Sequence, residues 1–205
     1  MKVKLAICIP CRDLVHAAFA RSLIGITSKL TKKEIDFEVL WCMGSVVADQ
    51  RNILTNQALK INATHILWLD SDMHVPSSVF FDLLSHEKDI VACSYSTRMR
   101  PYRPVAFIDE HNKEKRLDKQ IGLHKVFAVG SGCVLVNTDV YKSLPQPWYF
   151  YNWNNREQNI SGEDIYFCNK AKENGFDTWV DATLSQKVAH FGTKAVMLED
   201  CDESD

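Results

Sequence analysis

The sequence lacks a long hydrophobic run, an excess of charge of either sign, and the glycine and proline content of a fibrous or low-complexity chain. Its 24 basic and 26 acidic residues give a net charge of -2, which supplies no general field to attract nucleic acid or an anionic membrane. The apolar runs have the length of strands, so the sequence predicts neither a signal peptide nor a membrane span. We therefore expect a cytoplasmic protein whose specificity resides in one local site.

The seven cysteines do not have the spacing of a zinc site or of a redox pair. Cys8 and Cys11 make a C-x-x-C sequence, but Pro10 lies between them and no second such pair follows. The spacing therefore disfavours a zinc site or a redox pair. Scattered, reduced thiols are typical of a cytosolic protein.

Apolar periodicity indicates strands that alternate with helices along the first half of the chain. Predicted strands cover residues 3–9, 37–42, 66–69 and 89–93, and residues 14–30 and 46–61 have helical spacing. This alternation predicts an α/β fold with a mainly parallel central sheet flanked by helices. The length suits one domain, which we expect to span residues 1–198, and the acidic residues 199–205 are predicted to be a disordered tail.

The strongest local signal is the pair of carboxylates in Asp70-Ser71-Asp72, directly after the third predicted strand. Ligands of open α/β sheets bind at the carboxyl ends of the strands, and side chains at positions i and i+2 of an extended backbone point the same way. Carboxylate oxygens select hard cations such as Mg²⁺ or Mn²⁺, which often share substrate phosphates. The pattern predicts a divalent cation or a diphosphate at this position.

Three later segments carry further candidate residues. The loop over residues 95–104 contains three arginines, which suit phosphate groups; nucleic acid is disfavoured because no wider basic surface accompanies them. Residues 126–136 indicate a strand with Gly130 and Gly132 inside it, either a bulge or a place of close approach by a ligand. Trp148, Tyr151 and Trp153 belong to an aromatic segment that either binds sugar rings or packs in the core.

Taken together, the motifs resemble those of a GT-A type nucleotide-sugar glycosyltransferase, of the compact viral and bacterial kind. The resemblance covers nearly all of residues 1–193 and is carried by six segments in order: Ile9-Pro10-Cys11-Arg12-Asp13, Ala48-Asp49-Gln50-Arg51-Asn52, Leu69-Asp70-Ser71-Asp72, Gly130-Ser131-Gly132-Cys133, Gly162-Glu163-Asp164 and Ala189-His190-Phe191-Gly192. It implies the GT-A, Rossmann-like fold and metal-dependent transfer of a sugar. For a viral member, the cytoplasm would be that of the host.

The resemblance also assigns residues to the donor nucleotide and to the metal. It implies that the nucleotide contacts a set of residues near the first three strands and the arginine loop: Pro10, Cys11, Arg12, Asp13, Arg51, Asp70, Ser71, Asp72 and Arg98. Asp72 is expected on the metal, with Asp70 and His190 as further ligands, and the histidine favours Mn²⁺ over Mg²⁺. A surface salt bridge is the alternative for Arg51, and a structural role is the alternative for His190.

The same resemblance implies that a carboxylate at the start of a helix, Asp164 before Glu163, removes the acceptor proton as a general base. Helix capping is the alternative explanation for these acids. The resulting hypothesis is a transferase that moves a sugar from a nucleotide-diphosphate donor, with UDP as the expected nucleotide, to a hydroxyl of a glycan or other acceptor, and with inversion favoured. The alternatives are a sugar-phosphate nucleotidyltransferase and a catalytically silent carbohydrate-binding domain.

Overall fold

The computed structural model describes residues 2–108, 116–117, 120–154, 159–192 and 195–197. In chain order, its helices are α1 (Ala17–Lys32), α2 (Val47–Lys60), α3 (Val79–Leu84), α4 (Thr138–Ser143), α5 (Glu163–Glu173) and α6 (Ala182–Ser185). Its strands are β1 (Lys4–Cys11), β2 (Asp36–Met43), β3 (His65–Leu69), β4 (Met73–His74), β5 (Ile90–Ala92), β6 (Ala106–Phe107), β7 (Leu123–Val126), β8 (Ala128–Val129), β9 (Cys133–Asn137), β10 (Asn152–Asn154), β11 (Asn159–Ser161), β12 (Thr178–Asp181), β13 (Ala189–Phe191) and β14 (Ala195–Met197).

The centre of the protein is a seven-stranded sheet in the order β2-β1-β3-β9-β5-β12-β7. Strands β2, β1, β3, β5 and β12 run in one direction, whereas β9 and β7 are antiparallel to their neighbours. The predicted α/β fold with a mainly parallel sheet is therefore confirmed. Central strands of such a sheet are buried on both faces, which explains the uninterrupted apolar runs of β1 and β3.

Helices cover the two faces of this sheet and divide the core into two layers. Alternate residues of β1 point to opposite faces, so that Ala6 and Cys8 pack with α2, α4 and α5. Leu5, Ile7 and Ile9 pack on the other face with α1, α3 and α6. The carboxyl ends of β1, β2 and β3 emerge between these two layers at one edge of the molecule.

The segment predicted as one strand over residues 126–136 differs from that prediction. β7 ends at Val126, β8 follows at Ala128–Val129, and the chain turns at residues 130–132 before β9 begins. Strand β8 pairs with β6 outside the large sheet. Apolar content alone does not distinguish one long strand from two short strands that belong to different sheets, which is why the sequence suggested a single element.

A small three-stranded sheet lies at the same edge of the molecule as the carboxyl ends of β1, β2 and β3. β13 pairs antiparallel with β4, in a register that places His190 opposite Met73, and β14 pairs with β13. None of the described helices is long and apolar enough to cross a membrane. The single domain over residues 1–198 stays a prediction, and the predicted tail at 199–205 lies outside the described residues.

Candidate active site

A cleft of about 300 Å³ opens at the carboxyl ends of β1, β2 and β3. Its walls contain most of the residues that the sequence assigned to the nucleotide and the metal, together with others from the β2–α2 connection: Pro10, Cys11, Arg12, Gly44, Ser45, Val47, Gln50, Asp70, Ser71, Asp72, Arg98 and His190. Asp13 is exposed in the loop after β1 and does not line the cleft. The structure thus brings together five stretches of sequence that are far apart in the chain.

The floor of the cleft is held by Gln50, which sequence reasoning did not assign to the site. Its side-chain amide donates hydrogen bonds to the carbonyl oxygens of Cys11, at 2.6 Å, and of Cys42, at 2.7 Å. These contacts tie the end of β1 to the end of β2. The sequence does contain one signal for this position. Gly44 interrupts the second apolar run, and the first turns of the helix that follows it face the ends of the strands.

Asp72 lies at the centre of the charged groups in the cleft. Its Oδ2 accepts a hydrogen bond from Nη1 of Arg98 at 2.7 Å and lies 3.4 Å from Nε2 of His190. Burial favours the neutral carboxyl, but the hydrogen bond and charge of His190, with the charge of Arg98, outweigh it and hold the pKa of Asp72 below its usual value. The carboxylate form of Asp72 is therefore strongly favoured.

His190 is oriented by contacts on both sides of its ring. Nδ1 lies 2.9 Å from the carbonyl oxygen of Ser96, which can only accept, so this nitrogen carries hydrogen and Nε2 faces Asp72. The ring of Tyr95 packs edge-on at 5.0 Å between centroids. Phe191 donates its backbone N–H to the carbonyl oxygen of Asp72 at 2.8 Å. The residues around the histidine fix both its position and the nitrogen that it presents.

The two glycines of Gly130-Ser131-Gly132 are explained by Tyr95. A Cβ atom added at Gly130 would lie 2.6 Å from the Tyr95 hydroxyl oxygen, and one added at Gly132 would lie 2.7 Å from it. The backbone N–H of Gly132 donates to the same hydroxyl at 3.0 Å. The close approach expected at this segment is therefore made by a tyrosine of the protein, and the same tyrosine packs against His190.

Arg51 lies beneath the cleft and does not line it. The side chain of this α2 residue is 2% exposed, with Nη2 2.8 Å from Oδ1 of Asp70 and Nε 3.2 Å from Oε1 of Glu163. The surface salt bridge considered as an alternative is therefore replaced by a buried one. Asp70 and Glu163 share this guanidinium, although 93 positions separate them (163 minus 70). This shared contact joins the cleft to the start of α5.

Asp164 follows Glu163 at the start of α5 and lies outside the cleft walls. Its Oδ1 accepts the backbone N–H of Ile165 at 2.8 Å. Burial, reinforced by the neighbouring charge of Glu163, raises the pKa of Asp164 to about 6. A carboxyl group with this pKa is ionised at neutral pH yet binds a proton more readily than an ordinary aspartate, as a general base requires.

The aromatic segment before α5 divides into buried and exposed members. Trp148 is only 3% exposed and donates its indole N–H to the carbonyl oxygen of Tyr141, so for this residue the structure supports the alternative of core packing over acceptor binding. Tyr151 and Trp153 are exposed. Burial, together with the nearby charges of Glu163 and Asp164, raises the pKa of Tyr151. The exposed pair therefore remains available to a ligand next to the start of α5.

Comparison with solved structures identifies the architecture. A197 from STIV superposes with a TM-score of 0.62 at 19% identity, covering 95% of this chain and 93% of that one. The Drosophila β-1,4-galactosyltransferase 7 mutant, in complex with manganese, UDP-Gal and xylobiose, superposes with a TM-score of 0.52 at 13% identity, covering 93% of this chain and 71% of that one.

The chain has the GT-A fold. The sequence model of the Anp1 family matches residues 27–114, a range that includes α2, the Asp70-Ser71-Asp72 segment and the arginine loop. No curated protein sequence gave a significant match. This match covers less than half of the chain, and the superpositions establish the GT-A fold.

Proposed function

We propose that this GT-A protein transfers a sugar from a nucleotide-diphosphate donor, with UDP as the preferred nucleotide, to a hydroxyl group of a carbohydrate or related acceptor. The observation that carries the proposal is that Asp72, His190 and Arg98 meet in one cleft at the strand ends. Asp164 lies close by, and its pKa of about 6 is near neutral pH. A cleft with these charges suits a diphosphate rather than a neutral ligand.

The residues present fit a divalent cation, Mn²⁺ or Mg²⁺, at Asp72 and His190. Neighbouring ligand atoms around an octahedral cation lie about 3 Å apart, and Asp72 Oδ2 and His190 Nε2 are 3.4 Å apart. Among the described residues no three His, Cys, Asp or Glu side chains form a ligand set, and Asp70 Oδ1 is paired with Arg51. Diphosphate oxygens and waters would supply the remaining positions, as is usual for hard cations. When bound, the cation would neutralise charge on the leaving diphosphate.

In this proposal the protein's own groups divide the work of transfer. Arg98, and Arg12 at the end of β1, supply forked hydrogen bonds to phosphate oxygens. Asp164 accepts the proton of the acceptor hydroxyl while the nucleoside diphosphate departs from the opposite face of the sugar, which gives inversion. The exposed rings of Tyr151 and Trp153 offer flat apolar faces on which an acceptor sugar could stack next to Asp164.

The proposal is tested by incubating the protein with a panel of nucleotide-sugars in Mn²⁺, in Mg²⁺ and in EDTA, and measuring release of the nucleoside diphosphate. We expect slow donor hydrolysis that depends on the cation and is lost in Asp72→Asn. Asp139→Asn is the matched control, because this exposed acid pairs with Lys142 at the opposite edge of the sheet. Release of pyrophosphate from a nucleoside triphosphate and a sugar phosphate would instead identify a nucleotidyltransferase.

A further inference from the structure

Arg51 does not line the cleft, yet its charged side chain is buried. Its guanidinium is buried and faces the rings of Trp68, at 5.2 Å, and Tyr149, at 5.9 Å. Nε and Nη2 each bind a carboxylate, and Nη1 has no hydrogen-bond partner among the described residues. Every contact that holds this charge therefore comes from the two acids and from the ring faces.

Burying a guanidinium costs several kcal/mol, and a buried ion pair is often no more stabilising than apolar residues of the same volume. Stability alone is consequently a weak reason for an arginine at this position. The two carboxylates that Arg51 binds belong to two different parts of the proposed site. Asp70 lines the donor cleft, and Glu163 begins the helix that carries Asp164.

We propose that Arg51 is a positioning residue that couples the two halves of the site. One edge of the guanidinium holds Asp70 against the donor cleft, and its Nε holds the first residue of α5, so the donor carboxylate and the acceptor-side base keep a fixed separation. The inference rests on the proposed function, because it assigns the two halves to donor and acceptor. A planar fork is needed for this task, and the single ammonium group of a lysine cannot bind both acids in the same way.

The test compares kcat and the donor KM for nucleotide-sugar hydrolysis in four variants, at a temperature where circular dichroism shows each of them folded. We expect Asp70→Asn to raise mainly the donor KM, and Glu163→Gln to lower mainly kcat, each about tenfold. Arg51→Lys should change both constants. Combining Arg51→Lys with Glu163→Gln should lower kcat no further than Arg51→Lys alone, because both substitutions break the contact between Arg51 and Glu163.

The matched control is His86→Asn, which removes a partly buried hydrogen bond to another acid, Asp181, at 2.8 Å and outside the cleft. Its kcat and KM should stay within about twofold of wild type. Calorimetric titration with UDP and Mn²⁺ gives a second readout that does not depend on turnover, and Arg51→Lys should bind UDP about tenfold more weakly.

A second pair of variants covers the case in which loss of the buried charge prevents folding. Arg51→Met leaves Glu163 and Asp70 without their partner and should unfold at a lower temperature. Arg51→Met combined with Glu163→Gln removes the two most buried charges and should recover most of the lost thermal stability, because Asp70 is more exposed than Glu163. We expect kcat of this double variant to stay low.

Wild-type kcat and KM in the stable double variant, or in Arg51→Lys, would overturn the positioning role while leaving the proposed function intact. If the wild-type protein neither binds UDP nor hydrolyses any donor, the proposed function and this inference both fail.

Discussion

Two aspartates of the site differ in the groups that surround them. Asp72 is next to Arg98 and His190, which keep it ionised over the whole physiological range of pH. Asp164 is partly buried beside another acid, and its pKa rises to about 6. Separate environments of this kind are how proteins give carboxylates separate tasks. A cation ligand has to stay charged, and a general base has to accept a proton.

Replacing Asp164 by asparagine should therefore stop activity and stabilise the fold at neutral pH. The carboxyl pKa is about 6 in the folded protein against 3.8 as the ordinary value, so stability that is present below pH 4 is lost as pH rises through 6. Two pKa units correspond to at most about 3 kcal/mol. Asp164→Asn should exceed wild type by roughly 1–3 kcal/mol in urea unfolding at pH 7.5 and match it near pH 4.

In the same variant UDP binding should be retained, since Asp164 does not line the cleft. Wild-type activity should fall as pH drops through about 6, because the base becomes protonated. An active Asp164→Asn protein, or one whose stability advantage persists at pH 4, would contradict the assignment of this group.

Single residues of the site were predictable to different degrees. Asp70 and Asp72 are adjacent to an apolar strand in the sequence, so local pattern alone locates them at a strand end. Arg51 was expected to contact the nucleotide, and its buried position could not be foreseen, because its second partner, Glu163, is far away in the chain. Sequence spacing carries no information about such a distant pair.

At the scale of elements, the turn at residues 130–132 contacts Tyr95, and the ring of Tyr95 packs against His190. A Cβ at Gly132 would lie 2.8 Å from the Tyr95 Cζ as well as close to its hydroxyl oxygen, so the ring has to move. We expect Gly132→Ala to lose roughly 1–3 kcal/mol of stability and to weaken UDP binding in Mn²⁺, measured by thermal melts and calorimetry.

The comparison variant for this element is Tyr95→Phe, which loses the hydrogen bond from Gly132 but keeps the ring against His190. It should cost about 1 kcal/mol and leave UDP affinity close to wild type. If Gly132→Ala and Tyr95→Phe changed UDP affinity equally, displacement of the Tyr95 ring would not be the cause of the weaker binding.

The aromatic segment before α5 gives a second prediction at this scale. Trp148→Ala should cost about 3–5 kcal/mol in unfolding free energy, because it empties a buried site. Trp153→Ala should change stability by less than about 0.5 kcal/mol, because its ring is exposed. If Trp153 contributes to the acceptor surface, only its variant should lose transfer to a carbohydrate acceptor while donor hydrolysis is kept.

The elements themselves and the mainly parallel direction of the sheet were largely predictable, whereas the antiparallel strands β7 and β9 were not. Apolar periodicity located β1, α1, β2, α2, β3 and β5, because each buries a face that repeats along the chain. The insertion of antiparallel β9 between β3 and β5 depends on pairing between distant segments. In the aromatic segment, exposure differs between close neighbours, which composition cannot resolve.

At the scale of the whole molecule, ligand binding should stabilise the fold in a way that depends on the cation. A ligand at 100 times its dissociation constant adds about 2.7 kcal/mol, which for a chain of this size raises Tm by roughly 5–10 °C. We expect this shift with UDP and Mn²⁺ together, measured by differential scanning fluorimetry. UDP in EDTA should give a much smaller shift, and an equal shift would argue against a cation at Asp72 and His190.

The pairing of β13 with β4 has a consequence for how the protein acquires activity during synthesis. More than half of the chain separates His190 from Asp72, and contacts with such long loops form slowly. Translation proceeds from the N-terminus, so β1, β2 and β3 leave the ribosome long before β13. A nascent chain can therefore build most of the sheet while it still lacks one wall of its cleft. Fluorescent UDP added during refolding would then report this late closure as a phase slower than the collapse of the core.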